Sequence, residues 1–156
     1  MEDIKLKAVS RDEIETLWRM QVEAFSGLLE KYRDYETSPA SESMEKVTAR
    51  FEQPWTTYYF ILAAGEKVGA IRVVDRKDGS RKRISPLWIM PEHRNKGYAG
   101  QAIQAVEAIH GSGHWCLETI LQEEGCLHLY EKHSYHPTGR IHRVNDRMDL
   151  ACYEKD

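Results

Sequence analysis

The amino-acid sequence predicts a fold of the α/β (α+β) class, with six or seven strands and about four helices. Segments with apolar residues at helical spacing alternate along the chain with short runs of β-forming residues. Turn signals such as Asp78-Gly79 and Asn145-Asp146 follow several of these runs. Tight turns join antiparallel neighbours, so some of these runs are expected to pair as hairpins.

The length and composition favour one domain over residues 1–156. A chain of 156 residues can bury about two-thirds of its unfolded surface. No stretch has the length of a membrane span, and residues 1–5 lack the apolar core of a signal peptide. Cys116, Cys126 and Cys152 show no C-x-x-C spacing and are interpreted as reduced thiols. We therefore expect a cytoplasmic protein with no membrane partner.

The first part of the chain predicts one strand and two helices. Residues 4–9 alternate between apolar and charged side chains, as in a half-buried strand. Ser10 begins a capping box, and the apolar pattern after it predicts a helix to about Tyr32. Pro39 suits the first turn of a second helix, which Pro54 is expected to stop.

Three strands are predicted next. Residues 58–63 and 68–74 are rich in β-forming residues and are separated by a turn at 65–67. A further strand covers residues 84–90 and contains Pro86. Because proline removes a ladder hydrogen bond, Pro86 predicts an edge, a bulge or a splay at this strand.

The last third of the chain completes the predicted sheet. Residues 114–120 are expected to form a strand, and Glu123-Glu124 to begin a short helix. Residues 138–144 and 147–153 predict a closing hairpin.

A basic, glycine-rich turn links strand 84–90 to a helix that ends at Gly111. The amides of a first helical turn have no partner inside the helix, and the helix dipole is positive there. This geometry predicts an anion site, to which Arg94 and Lys96 add positive charge. The small residues that allow a phosphate to approach the main chain are Gly97, Ala99 and Gly100.

The order of strand, Pro-x-x-Arg, Arg-x-x-Gly-x-Ala and amphipathic helix resembles the acetyl-CoA signature of the GNAT superfamily of N-acetyltransferases. The resemblance covers nearly the whole chain, including Leu129-Tyr130-Glu131-Lys132 and Ser134-Tyr135. It implies a mixed, mainly antiparallel twisted sheet with a splay beside strand 84–90, where the pantetheine arm of acetyl-CoA inserts. Family members commonly carry an asparagine near Cys126, and cysteine cannot make the same hydrogen bonds to the pantetheine.

The resemblance also implies a set of cofactor-binding residues. Residues 94–99 would cradle the pyrophosphate, and backbone N–H groups on the strand from Leu87 would donate to the thioester carbonyl. The predicted cofactor-binding residues are Leu87, Trp88, Ile89, Arg94, Asn95, Lys96, Gly97, Tyr98, Ala99, Gly100 and Cys126.

Two residues are predicted to take part in catalysis. The resemblance implies that Tyr130 is the general acid for the departing thiolate; the alternative is a core tyrosine whose hydroxyl meets a carbonyl. Glu118 is the preferred general base because it lies on the strand that flanks the splay. Its alternative role is a cross-strand ion pair with an arginine.

Other classes of function receive less support. The net charge is −3 and the basic stretch near residues 76–96 is short and not interleaved with aromatics, so no nucleic-acid partner is expected. The seven histidines show no metal-site spacing, so no metal is expected. Exposed strand edges make a homodimer possible.

The sequence thus predicts acetyl transfer from acetyl-CoA to a small-molecule primary amine. The rival classes are a protein or peptide N-acetyltransferase and a CoA-binding module without turnover. The resemblance implies that the first two helices and the loop between them line the acceptor side, so substrate choice would lie at Tyr32, Tyr35 and nearby acidic residues.

Overall fold

The computed structural model describes residues 3–156, which form one seven-stranded sheet with four α-helices. The helices are α1 (Ile14–Tyr32), α2 (Met44–Phe51), α3 (Tyr98–His110) and α4 (Glu124–Lys132). The strands are β1 (Ile4–Ala8), β2 (Thr56–Ala63), β3 (Glu66–Val74), β4 (Lys82–Ile89), β5 (Trp115–Ile120), β6 (His136–Arg143) and β7 (Asp149–Lys155). The α/β class and the predicted numbers of elements are confirmed.

The start of α2 differs from the prediction. Pro39 opens only a short 3-10 turn, Pro39–Ser41, and α2 begins at Met44. The side chain of Ser43 accepts a hydrogen bond from the amide of Lys46 at 3.2 Å. This N-cap satisfies an amide of the first turn and fixes the start of the helix there.

The sheet order β1-β2-β3-β4-β5-β7-β6 contains one parallel pair, β4 with β5, and is otherwise antiparallel. That pair is short, because only Lys82 and Arg83 of β4 face Trp115 and Cys116 of β5. Beyond these residues the two strands separate. The splay that the resemblance implied is therefore present, and it opens toward the C-terminal ends of both strands.

Pro86 lies in a bulge of β4. Opposite β3, the register moves from Val73↔Ile84 to Ile71↔Leu87, so β4 carries one extra residue at this point. The Arg72 guanidinium donates to the carbonyl of Ser85 at 2.9 Å and occupies the gap. A bulge accommodates the missing amide of proline and bends the strand away from its neighbour.

Helices cover both faces of the sheet. One apolar cluster joins α3 to β5 through residues such as Val106, Trp115 and Leu117. A second cluster packs α1 and α2 on the other face and includes Leu17 and Val47. Strand side chains alternate between faces, so α1 and α2 lie on one side of the splay and α3 on the other.

The hairpin connections also differ from the predictions. The β2–β3 turn is the two-residue pair Ala64 and Gly65, both with positive φ, rather than residues 65–67. The β6–β7 loop covers residues 144–148 rather than two residues, since the amide of Val144 donates to the carbonyl of Met148 at 3.0 Å.

No helix within residues 3–156 is long and apolar enough to cross a lipid bilayer.

Candidate active site

The turn before α3 has the backbone geometry of an anion site. Asn95 has φ 64°, and Gly97, the N-cap of α3, has φ 82°. The amide of Gln101 donates to the carbonyl of Gly97 at 3.2 Å. The amides that precede it, including those of Ala99 and Gly100, therefore have no acceptor inside the helix. They lie at the positive end of the helix dipole, where a pyrophosphate is stabilised.

Arg94 is exposed beside this turn, but part of its guanidinium already binds main-chain carbonyls. Its Nε donates to the carbonyl of Ile89 at 2.9 Å, and its NH2 group donates to the carbonyl of Ala24 at 3.0 Å. The guanidinium thus joins the end of β4 to α1, and only its remaining N–H groups are left for a ligand. Lys96 is exposed, as predicted for a residue at the rim.

Gly100 also lies where two helices pack closely, which is the alternative explanation for a glycine at a helix start. A Cβ at this position would lie 2.6 Å from Nε2 of His133, at the end of α4. Close packing between α3 and α4 therefore explains this glycine, whereas phosphate approach depends on Gly97 with its left-handed backbone.

The edge of β4 that faces the splay presents alternate main-chain groups. The amide of Met90 donates to the carbonyl of Val68 on β3 at 2.8 Å. Because hydrogen-bonded pairs alternate in an antiparallel ladder, the Trp88 amide also faces β3. The amides of Leu87 and Ile89 therefore face the splay. Of the three predicted carbonyl donors, Leu87 and Ile89 thus have amides on the side of the splay and Trp88 has its amide on the side of β3.

Tyr130 lies on α4, on the same helical face as Cys126 one turn earlier. Its ring is half-buried and packs edge-on against Tyr135, with 6.0 Å between the ring centroids. Within residues 3–156 its hydroxyl has no hydrogen-bond partner. Burial raises the pKa of Tyr130, and the neighbouring Cys126 thiol adds to this effect. Burial likewise raises the pKa of Cys126.

Glu118 lies on β5 and points to the face opposite α3. Its Oε1 accepts a hydrogen bond from Arg83 at 2.8 Å, so the arginine ion pair considered for this residue is present. Its Oε2 lies 3.9 Å from the thiol of Cys152. One carboxylate oxygen is thus held by Arg83, and the other borders a cavity on this face.

A polar contact that sequence analysis missed joins α1 to the start of α4. The Tyr32 hydroxyl donates to Oε2 of Glu123, and the Lys31 ammonium lies 2.7 Å from the same oxygen. Burial works against the charge of Glu123, but these two hydrogen bonds more than offset it and lower its pKa. The contact lies next to the C-terminal end of β5, where the splay is widest. No local sequence signal links residues that are 91 positions apart.

No group of three or more His, Cys, Asp or Glu side chains in the described part of the chain, residues 3–156, could hold a metal ion.

Comparisons with known proteins agree with this architecture. A search of curated proteins gave no match. Among solved structures, spermidine N-acetyltransferase from Vibrio cholerae, in complex with CoA and spermine, is 16% identical, with a TM-score of 0.73 over 97% of this chain and 94% of that chain. The Salmonella typhimurium acetyltransferase that modifies the N-terminal serine of ribosomal protein L7/L12 is 15% identical, with a TM-score of 0.74 over 97% and 93%.

A third similar structure is the ribosomal-protein-S18-alanine N-acetyltransferase from Escherichia coli. It is 11% identical, with a TM-score of 0.73 over 96% of this chain and 91% of that chain. At these identities the structures establish a shared fold. The sequence model of the acetyltransferase (GNAT) family matches residues 21–135. The chain therefore belongs to the GNAT family of acetyltransferases, which use acetyl-CoA.

Proposed function

We propose that this enzyme transfers the acetyl group of acetyl-CoA to the primary amine of a small molecule, by direct attack of the amine on the thioester. The observation that carries the proposal is the splay between β4 and β5. The anion turn of α3 follows the end of β4, and Glu118 and Tyr130 lie on β5 and the helix after it. The space between the separated ends of β4 and β5, called the slot below, is thus bordered by groups suited to binding and to proton transfer.

The β4 edge supports polarisation of the thioester carbonyl. Main-chain amides at Leu87 and Ile89 face the slot and are held in place by the pairing of β4 with β3. Fixed donors of this kind stabilise the negative charge that develops on the carbonyl oxygen and need no reorganisation during the reaction.

Tyr130 is proposed as the general acid. When the C–S bond breaks, the thiolate must receive a proton in a site partly shielded from water. A hydroxyl with a raised pKa stays neutral at physiological pH and has a proton to give. The lack of a protein partner for this hydroxyl among residues 3–156 supports the acid role over that of a core tyrosine bonded to a carbonyl.

Glu118 is proposed as the general base. An alkylammonium with a pKa of about 10 must lose a proton before it can attack. Oε2 of Glu118 faces the cavity and could accept this proton directly or through one water, while Oε1 is held by Arg83. The pair with Arg83 would then orient the carboxylate.

A peptide acceptor is the second candidate. Its support is a cleft of about 290 Å3 between the α1–α2 loop and the β6–β7 loop, lined by Asp34, Tyr35 and Asn145 among others. An open cleft of this kind can admit an extended chain. The experiment is release of free thiol from acetyl-CoA by the purified protein with small amines and with peptides as acceptors. Activity with amines supports the proposal, activity only with peptides supports the second candidate, and no release with either contradicts both.

A further inference from the structure

The cavity that Glu118 borders lies on the α1/α2 face of the sheet, beside the closed end of the splay. It has a volume of about 380 Å3 and crosses β5 and β7 to the edge strand β6. Arg83, the last β4 residue that pairs with β5, lines it at one end, and Glu118 lies next to it. Arg140 and His142 line it from β6. The cavity is thus continuous with the proposed site of proton removal.

The two carboxylates in this cavity are already paired with arginines. Glu118 lies 2.8 Å from Arg83, and Glu154 lies 3.4 Å from Arg81. Within residues 3–156, the Arg140 guanidinium has no ion-pair or hydrogen-bond partner; only its backbone amide is bonded, to the hydroxyl of Thr138 at 3.2 Å. Arg81 also pairs with Asp156 at 2.5 Å, so the charge that the cavity offers to a ligand is that of Arg140, which is unpaired among the described residues.

The imidazole of His142 also lacks a partner among the described residues and lies two positions after Arg140 on β6. A guanidinium and a ring N–H on the same wall can bind one carboxylate or one phosphate group. A polyamine in this cavity would instead place its second ammonium against Arg140, which costs electrostatic energy. The volume lies within the range of small-ligand sites.

We propose that the acceptor is a small amine that also carries an anionic group, a carboxylate or a phosphate, and that Arg140 with His142 binds this group. The inference rests on the proposed function, because it places the reacting amine at Glu118. The ammonium end of such an acceptor meets the carboxylate of Glu118, and the anionic end meets the unpaired charge of β6. The acceptor would thus cross the face of β5 and β7.

The test compares matched acceptors with the purified full chain in the thiol-release assay. The acceptors are 4-aminobutyrate and O-phosphoethanolamine for the two anionic groups, n-butylamine as the analogue without an anionic group, and spermidine as the polycation. We expect kcat/KM for one of the anionic amines to exceed that for n-butylamine by about tenfold or more, because a charged hydrogen bond is gained. The better of the two identifies the anionic group.

The variant Arg140→Gln should remove this preference through a rise in KM of about tenfold with kcat nearly unchanged, and it should leave n-butylamine unaffected. Arg143→Gln is the matched control, because Arg143 is also exposed on β6 but lies 3.7 Å from Asp146 and outside the cavity. A preference for spermidine, or equal behaviour of the two variants, would overturn the inference.

If neither amines nor peptides release thiol, the proposed function itself is contradicted. Calorimetric titration of the CoA-loaded protein with 4-aminobutyrate and with O-phosphoethanolamine then decides the inference without turnover. Binding of either amine that is lost in Arg140→Gln supports the anionic subsite, and no binding of either overturns it.

Discussion

On the proposed cofactor side of the splay the candidate binding groups belong to the main chain, whereas on the proposed acceptor side they are side chains. The α3 turn offers amides whose direction follows from the left-handed backbone of Gly97. The acceptor face instead depends on Glu118, Arg83 and Arg140, which come from three different strands. A main-chain site tolerates changes in most of its side chains, while each side chain of the acceptor face has its own effect.

The largest expected effect is on turnover, when Tyr130, the proposed general acid between these two sides, is replaced. Tyr130→Phe should lower turnover on the order of 10²-fold and leave the Kd for acetyl-CoA nearly unchanged, because only the departing thiolate needs the proton. Steady-state kinetics where chemistry limits the rate, together with calorimetry, would measure both quantities.

Tyr135→Phe is the matched control for this variant. Tyr135 packs against Tyr130 and donates to Glu107 at 3.1 Å, so its loss should cost about 1 kcal/mol of stability with little kinetic change. Near wild-type turnover of a folded Tyr130→Phe protein would rule out the acid role.

Replacing Glu118 tests whether this carboxylate takes part in the reaction or only stabilises the sheet. Glu118→Gln should lower kcat/KM on the order of 10²-fold and remove the acidic limb of the pH–rate profile. Arg83→Gln breaks the same ion pair but keeps the carboxylate. Equal losses in both variants, with an unchanged pH profile, would mean that the pair is structural and that the base lies elsewhere.

Gly97 tests the main-chain site. Gly97→Val forces a β-branched residue into a backbone with φ 82° and should raise the Kd for acetyl-CoA by about tenfold. Gly27→Val is the control, since a Cβ at Gly27 in α1 has no neighbour within 4 Å. Unchanged CoA affinity in a folded Gly97→Val protein would contradict the anion site.

A smaller effect concerns stability against pH. Burial is the main cause that lowers the pKa of His110 and of His133, with nearby lysines adding to it and Asp75 or Glu107 opposing it. Both rings are therefore neutral in the folded state at pH values where the unfolded chain, with a pKa of about 6.5, already binds protons. The free energy of unfolding should fall as the pH drops below about 6.5 and level off below the folded-state pKa values.

Urea unfolding between about pH 5 and pH 8 would measure this slope. Replacing His110 and His133 by Gln should flatten it. At lower pH, Glu13 adds a separate loss as the pH falls from 4.5 to about 2, because hydrogen bonds from Ser10 and Lys7 lower its pKa in the folded state.

Local sequence signals predicted most of the fold. The Ser10–Glu13 capping box, the periodicity up to Tyr32 and the proline at position 86 each describe a feature that neighbouring residues determine. The predicted element boundaries were wrong where a second local feature competed with the one used for the prediction. Ser43 rather than Pro39 sets the start of α2, and the β6–β7 loop is closed by a hydrogen bond between Val144 and Met148 that turn dipeptides do not indicate.

The site was predictable only where it consists of main chain. A glycine at position 97 indicates by itself that a left-handed backbone is allowed there. The contact of Gly100 with His133 can be inferred only when α3 is known to pack on α4. The attachment of Arg94 to the carbonyls of Ile89 and Ala24 likewise depends on tertiary structure. The acceptor cavity was not predicted at all, because its lining requires the register of β5, β7 and β6.

The most direct test of the central claim is an experimental structure of the protein with CoA bound. The account predicts a pantetheine arm between β4 and β5, a pyrophosphate on the amides that follow Gly97, and a thiol within hydrogen-bond reach of the Tyr130 hydroxyl. A pantetheine arm outside the splay, or a thiol that approaches no group of Tyr130, would contradict it.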